Sequence, residues 1–300
     1  MLREFDEGLA WLKSQGTPSP SEGRFTFYRS VLDDLANSYK TASKEDVEAK
    51  FSTYADVLFE ANDFILTYRG LSHGKHPGLK KRLERLIGGP QRRDMERSED
   101  GSSVRARNTG FELAVAARLA DAGFPPDFQG PADTNIAIEN RKVFIECKRV
   151  RSDKKIISNA NEAIRQCNTR ISNSSSKLAS GIIVLDFSVT ANPDAKTAAF
   201  ESRERAQAVF KALIESFVAE HCPRIPLGEN KKILALMLRY CGLVVTEGRL
   251  LNHAQEWAYV TSPFCEGHRP ADVQTIGQAL GRDFGVDTES IQWPGAAEGA

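Results

Sequence analysis

Apolar residues recur at helical spacing along the first 70 residues of the chain. One stripe contains Phe5, Leu9 and Leu12, and a segment rich in Pro and Ser follows it after Gly16. Spacing of three and four residues places such side chains on one face of a helix. The pattern predicts a helical N-terminal domain over residues 1–70, with the aromatic residues in its helix–helix core. Two further stripes carry the remaining apolar positions: Phe27, Val31, Leu32 and Leu35, then Phe51, Tyr54, Ala55, Leu58, Phe59, Phe64 and Ile65.

Residues 71–107 have a different character, because they carry ten basic residues against five acidic ones. Gly88, Gly89 and Pro90 break the segment, and a run of acidic, glycine and serine residues follows near residue 100. We predict a basic junction between two domains. Two interpretations of its charge stay open: an arm on a phosphate backbone, or a solvated linker.

From residue 108 the pattern predicts a mixed α/β domain that extends to residue 262. Long apolar runs indicate buried strands, and amphipathic stretches between them indicate helices. The predicted fold class is α/β (α+β), a helical N-terminal domain followed by a mixed central sheet flanked by helices. Residues 263–300 form a C-terminal tail rich in Gly, Pro and acidic residues. The predicted helices cover residues 108–123, 159–171 and 198–222, and the predicted strands cover 136–139, 143–148, 181–189, 233–245 and 257–261.

Composition narrows the functional class only slightly. The chain has 300 residues, of which 41% are hydrophobic and 27% are charged, so it can bury a sizeable core. Its formal net charge is zero, and whole-chain charge therefore gives no hint of nucleic-acid binding. Five scattered cysteines predict reduced thiols in a cytoplasmic protein. We expect no membrane association, because no apolar run is long enough to span a bilayer.

The stretch from Asp133 to Lys148 predicts a β-hairpin. Asn140 and Arg141 lie where a two-residue turn is expected, so that Glu139 pairs with Lys142. A longer turn would shift these pairings. In the expected register the apolar side chains share one face: Ile136, Ile138, Val143 and Ile145.

The other face of this hairpin collects two carboxylates and an ammonium at one end. Asp133 opposes Lys148 there, and Asn135 opposes Glu146. Carboxylate oxygens are hard ligands that suit Mg²⁺ or Mn²⁺, and the backbone carbonyl of Cys147 could complete the ligand set. A bound metal ion can acidify water and hold a phosphate. We therefore expect Asp133 and Glu146 to bind the metal and Lys148 to assist the water or the phosphate.

These residues resemble the PD-(D/E)xK nucleases, the superfamily with the restriction-endonuclease-like fold. The likeness rests on Asp133 followed by Glu146-Cys147-Lys148 and covers roughly residues 108–190. The Pro that usually precedes the Asp is one residue displaced, at Pro131. Asp127, which directly follows a Pro, is the rival first carboxylate but fits the hairpin register less well.

The resemblance also implies supporting residues on two helices. In many members a Glu on the helix before the hairpin extends the metal site, and Glu112 occupies that place. Its alternative role is a helix-start Glu favoured by the macrodipole. On the helix after the Lys, Gln166 matches a Gln that approaches the site in the family, or is an ordinary surface residue. Arg170 stands where a Tyr often follows, so the exonuclease-type signature is incomplete.

Local charge supports a nucleic-acid substrate. Between residues 141 and 170, nine basic residues stand against three acidic ones. This surface would flank the metal site, as expected of a phosphate-backbone binder. The residues expected to contact nucleic acid are Arg149, Arg151, Arg165 and Arg170.

The sequence thus predicts a Mg²⁺- or Mn²⁺-dependent nuclease that acts on nucleic acid, preferably DNA. The family most often implies prokaryotic defence or repair. A protein partner for the N-terminal helices and a homo-oligomer are both compatible with the sequence. Two alternatives remain: a nuclease-fold module that binds nucleic acid or protein without cutting it, and an interaction protein in which Asp133 and Glu146 merely pair with arginines.

Overall fold

The computed structural model describes most of the chain. The chain divides into two compact units, Met1–Ala117 and Arg118–Ala300. The fold class predicted from the sequence, a helical N-terminal region and a mixed sheet flanked by helices, is confirmed. The described residues are 1–18, 23–38, 44–92, 95, 101–130, 132–193, 198–229, 231–246, 252–267, 269–281 and 289–291.

Helices make up the first unit. Their core contains the rings of Phe5, Phe25 and Phe64, whose centroids lie 4.7–6.0 Å apart. Such aromatic pairs stabilise a core beyond the area that they bury. Most of the residues in the predicted stripes are buried in this helix–helix core, among them Leu12, Leu32 and Leu58. The side chain of Phe51 lies outside the described residues. The helices of this unit are α1 (Leu2–Ser14), α2 (Arg24–Ser38), α3 (Lys44–Leu71), α4 (Leu79–Ile87) and α5 (Gly101–Asp121), the last residues of which belong to the second unit.

The segment expected as a basic junction differs from the prediction where the structure describes it. Helix α4 buries three leucines on one face and turns its lysines to solvent. Arg107 is buried in α5, with Nε 3.5 Å from a Glu60 carboxylate oxygen and a hydrogen bond to the Tyr28 hydroxyl at 3.2 Å. This arginine is therefore a core residue of the first unit. Arg93 and Arg97 lie outside the described residues.

A mixed sheet forms the second unit. The strand order is β1-β2-β3-β5-β6-β7, with β4 paired to β5. Strands β2, β3 and β5 are parallel, whereas β1 and β6 run antiparallel to β2 and β5. The strands are β1 (Thr134–Ile138), β2 (Arg141–Arg149), β3 (Ser180–Asp186), β4 (Ala198–Phe200), β5 (Ile233–Thr246), β6 (Asn252–Thr261) and β7 (Glu289–Ile291). The helices are α6 (Ile156–Ser172), α7 (Ser188–Ala191), α8 (Arg203–His221) and α9 (Arg269–Gly281).

Several element boundaries in this unit differ from the predicted ones, among them the start of the long helix and the extent of the C-terminal tail. The expected helix over 198–222 begins only at Arg203, where the Ser202 hydroxyl accepts a hydrogen bond from the Arg205 amide at 3.2 Å. Serine at this position satisfies an amide that the first helical turn leaves open. The tail expected without regular structure contains α9, and its Ile276 and Leu280 are buried. The sheet domain therefore extends beyond residue 262.

Burial explains the central position of β2 and β3. All seven residues of β3 are buried, as parallel strands covered on both faces require. Helix α6 buries its apolar stripe in the same core as Phe144 of β2. The next crossing of the chain, α8, contributes Phe210, Ile214 and Phe217 to this core. The packing fixes α6 along β2, which is the strand that carries Glu146 and Lys148.

The predicted hairpin register is wrong by two residues. In the structure Ile136 faces Val143 and Ile138 faces Arg141, so Glu139 and Asn140 form the two-residue turn. A shift of two residues leaves each side chain on its predicted face, because strand side chains alternate with period two. The apolar face and the polar face are therefore as expected, but their cross-strand partners are not.

A tertiary contact explains this register. Glu139 has a φ of 52°, in the left-handed region, which costs about 1 kcal/mol for a residue with a side chain. The placement brings Arg141 into the strand, where it donates to both oxygens of Asp272 of α9, at 2.7 and 2.9 Å. A partly buried, bidentate pair of this kind offsets the cost. Because Asp272 is remote in sequence, the residues around the turn do not indicate this contact.

We expect Asp272→Ala to destabilise the second unit by about 3 kcal/mol. The Asp272 side chain is 7% exposed, and its loss leaves the Arg141 guanidinium in a poorly solvated place without its main counter-charge. Chemical denaturation monitored by circular dichroism would measure the loss. The double variant Asp272→Ala/Arg141→Ala should recover part of it. If the double variant loses the sum of the two single losses, the pair does not hold the hairpin register.

Candidate active site

The end of β2 brings the predicted first carboxylate next to the Glu-Cys-Lys segment. Asp133 immediately precedes β1, and its Oδ2 accepts a hydrogen bond from the Cys147 amide at 2.7 Å. When the observed register is continued one residue beyond β1, Asp133 lies opposite Glu146 and not, as predicted, opposite Lys148. Asp133 and Glu146 thus lie at one end of the hairpin, close enough for the Asp133 charge to act on Glu146.

Glu146 is a buried acid with an unusual proton affinity. Its side chain is 2% exposed. Burial, and after it the nearby Asp133 carboxylate, raise the pKa of Glu146 to about 8, against the opposing effects of Arg170 and Lys148. A carboxyl group in such a place keeps its proton up to neutral pH unless a cation replaces it.

Helix α6 presents a polar stripe to the same strand. Lys148 Nζ lies 3.2 Å from Glu162 Oε1, and Gln166 Nε2 donates to the same oxygen at 3.0 Å. Two turns along the helix from Glu162, Arg170 Nε lies 3.3 Å from Glu146 Oε1. Residues four apart on a helix share a face, so these three side chains lie along β2. Glu162 contacts Lys148, and Arg170 contacts Glu146.

Glu162 was not among the residues predicted at the site. In the structure this acid is the shared partner of Lys148 and Gln166. The signal was present in the spacing, because Glu162, Gln166 and Arg170 recur every four residues. Only the packing of α6 against β2 could indicate which strand residues they meet.

The four arginines that are expected to contact nucleic acid lie in different environments. Arg149 is 13% exposed, and its Nε lies 3.7 Å from the buried Asp186 carboxylate. Arg151 and Arg165 are exposed, and Arg170 contacts Glu146. Asp186 also accepts hydrogen bonds from the Ser188 amide and hydroxyl. Arg149 and Arg170 thus lie beside buried carboxylates, whereas the side chains of Arg151 and Arg165 are exposed.

An open depression of about 510 Å³ lies along the side of α6 next to Arg165. Its lining combines amide and hydroxyl groups, which both donate and accept hydrogen bonds, with apolar surface. The lining residues are Asn161, Ile164, Arg165, Asn168, Thr169, Ser172, Asn173 and Pro226.

The rival carboxylate Asp127 has a local role. Its backbone bridges to Asn135, and its Oδ1 accepts a hydrogen bond from the Gln129 amide at 2.9 Å. That bond closes a turn within its own segment. Asp133, by contrast, contacts β2 between Glu146 and Lys148.

Glu112 lies in α5, in the first unit. Its Oε2 is 3.1 Å from Arg82 Nη1 of α4, and both side chains are only slightly exposed. The ion pair links two helices of that unit. A role for Glu112 in the metal site stays a prediction, as does the role of the Cys147 carbonyl.

A second group of potential metal ligands lies elsewhere in the second unit. One ligand atom from each of Asp153, Glu220 and His221 falls within 4.8 Å of the others. Both carboxylates are about 70% exposed, and the buried Nδ1 of His221 has no hydrogen-bond partner in the described structure. A histidine that binds metal through Nε2 normally donates its Nδ1 proton to a fixed acceptor. Among the described residues His221 Nδ1 lacks such an acceptor, so the cluster shows only part of the usual arrangement around a metal-bound histidine.

A scan against protein-family models finds no match, and comparisons with the curated proteins and with solved structures likewise find none. Among the described residues, no helix combines the length and the apolar character needed to cross a membrane.

Proposed function

We propose that this chain is a metal-dependent nuclease that hydrolyses phosphodiester bonds, with DNA as the preferred substrate. The observation that carries the proposal is the contact between the Asp133 carboxylate and the Cys147 amide. That contact joins the first carboxylate to the Glu-Cys-Lys segment across the hairpin, as the resemblance to the PD-(D/E)xK nucleases implies. The polar stripe of α6 supplies the remaining charged groups.

The residues at this site fit a divalent cation. Two carboxylates from adjacent strand ends are hard oxygen donors, as Mg²⁺ and Mn²⁺ prefer. Glu146 Oε1 is buried with Arg170 Nε 3.3 Å away, so a positive charge already lies beside this oxygen. Asp133 and Glu146 would hold the cation, with the Cys147 carbonyl as a further predicted ligand. When bound, the cation would supply charge stabilisation to the phosphate and would acidify a water molecule.

The chain's own side chains would complete the chemistry. Lys148 lies on the same face of β2 as Glu146, and Glu162 holds its ammonium in place. A positioned ammonium can orient the attacking water or stabilise the negative charge that grows on the phosphoryl oxygens. Gln166, which donates to Glu162, would fix that carboxylate. Little beyond positioning and charge is needed for phosphodiester hydrolysis.

Two exposed arginines of the same unit support the proposal of a nucleic-acid substrate. Arg151 precedes α6, Arg165 lies on α6, and both side chains are exposed. Guanidinium groups bind phosphate oxygens with two parallel hydrogen bonds. The loss of either arginine should therefore weaken binding to all sequences alike, in a salt-dependent manner.

Digestion of plasmid and of linear DNA by the purified full chain tests the proposal. We expect cleavage with Mg²⁺ or Mn²⁺ and none with EDTA. Asp133→Asn should lower the rate by about a hundredfold or more, whereas the matched variant Asp127→Asn should retain most of it, because the Asp127 carboxylate serves a local turn. If Asp127→Asn inactivates the protein and Asp133→Asn does not, the first carboxylate is misassigned.

A second candidate function is a nuclease-fold module that binds nucleic acid without cutting it. The contact between Arg170 and Glu146 favours it, since an arginine there is already a counter-charge for the carboxylate. DNA binding without cleavage in any metal would support this function. Such a module would bind equally well with Mn²⁺ and with EDTA.

A further inference from the structure

The charged groups of the site are arranged in two matched pairs. Lys148 of β2 lies 3.2 Å from Glu162 of α6, and Glu146 of β2 lies 3.3 Å from Arg170 of the same helix. The proposed metal-binding carboxylate and the proposed phosphate-binding guanidinium are thus each other's partners. Neither of them can serve the proposed reaction while this contact persists.

The two partners differ in their freedom to move. Glu146 lies in the middle of a paired strand and is almost wholly buried, whereas the Arg170 side chain is 22% exposed. A long side chain at the edge of the solvent can rotate away at small cost, but a buried carboxylate cannot follow it.

We infer that Arg170 is an exchangeable cation that occupies Glu146 in the metal-free protein and transfers to a substrate phosphate when a divalent cation takes its place. The inference rests on the proposed nuclease function and identifies how metal and nucleic acid would depend on each other. A phosphate that binds Arg170 frees Glu146 for the metal, and a metal on Glu146 frees Arg170 for the phosphate. Linkage requires the two effects to be equal.

Replacement of Arg170 separates the two roles, because it should change metal and DNA affinity in opposite directions. Titration calorimetry with Mn²⁺ alone should show binding to Arg170→Gln on the order of tenfold tighter than to the wild type. Fluorescence anisotropy with a short DNA duplex in Ca²⁺ should show binding about tenfold weaker. Arg170→Lys retains the charge and should resemble the wild type in Mn²⁺ affinity. Arg224→Gln, the same change at an exposed arginine outside the site, should alter neither affinity.

Each contrary outcome has a separate meaning. Equal Mn²⁺ affinity of the wild type and Arg170→Gln overturns the exchange but leaves the nuclease in place. Unchanged DNA affinity overturns the transfer to phosphate. Absence of Mn²⁺ binding in every variant overturns the proposed function together with the inference. If circular dichroism shows that Arg170→Gln is unfolded, Arg170→Met, which retains the aliphatic stem, replaces it in both titrations.

Discussion

Glu146→Gln is expected to reduce DNA cleavage by on the order of a thousandfold while making the metal-free protein more stable. Glutamine keeps the shape of the side chain but cannot carry the negative charge that would hold the cation. The fold already disfavours that charge, because Glu146 is buried beside Asp133. The amide therefore relieves a cost that the wild-type protein bears for the sake of its site.

The gain in stability should depend on pH. Because the pKa of Glu146 is raised from 4.5 to about 8 on folding, the folded protein binds this proton more tightly than the unfolded chain does. Stability is therefore lost as pH rises between these values. Glutamine does not titrate, so the difference between variant and wild type should be small near pH 4.5. It should grow to a few kcal/mol, at most, by pH 8.

Thermal unfolding across this pH range, with and without Mg²⁺, measures both effects. Mg²⁺ should stabilise the wild type and leave Glu146→Gln unchanged, since the variant lacks the charge that binds the ion. Glu215→Gln, the same change at an exposed position of α8, serves as the control and should retain activity and pH dependence. A constant stability difference from pH 4.5 to pH 8 would show that Glu146 is ionised throughout, in conflict with its burial.

Gly181→Ala should destabilise the second unit by about 3 kcal/mol and reduce cleavage as well. A methyl group on Gly181 of β3 would lie 2.0 Å from Cys167 Sγ of α6, a distance at which one of the two elements must move. Displacement of α6 would carry Glu162, Gln166 and Arg170 away from β2. The missing side chain of Gly181 thus determines how closely the polar stripe approaches the carboxylates.

A double variant tests this explanation. Gly181→Ala/Cys167→Ala removes the sulfur atom and should recover most of the lost stability and activity, although Cys167→Ala alone costs about 1 kcal/mol. Urea denaturation and the cleavage rate provide the two measurements. Gly88→Ala, where a methyl group meets no atom closer than 3.7 Å, is the control. Purely additive losses in the double variant would mean that the sulfur contact does not set the position of α6.

Much of the site could be predicted because its signals are local. Alternation along residues 133–148 indicated the hairpin and its polar face, and that face survives a register error of two residues because side chains alternate with period two. The turn itself was misplaced, since the bond that selects it comes from Asp272, far along the chain. Periodicity around the turn contains no information about such a partner.

The sequence by itself determined the helical first unit, the mixed sheet of the second, and the segment that carries Asp133, Glu146 and Lys148. These follow from hydrophobic spacing and residue chemistry, which depend on near neighbours. Only the tertiary structure decided that Glu162 holds Lys148, that Arg170 contacts Glu146, and that Glu146 is buried enough to retain a proton. Those properties depend on how closely α6 packs against β2, and packing distance is a property of two elements rather than of either one.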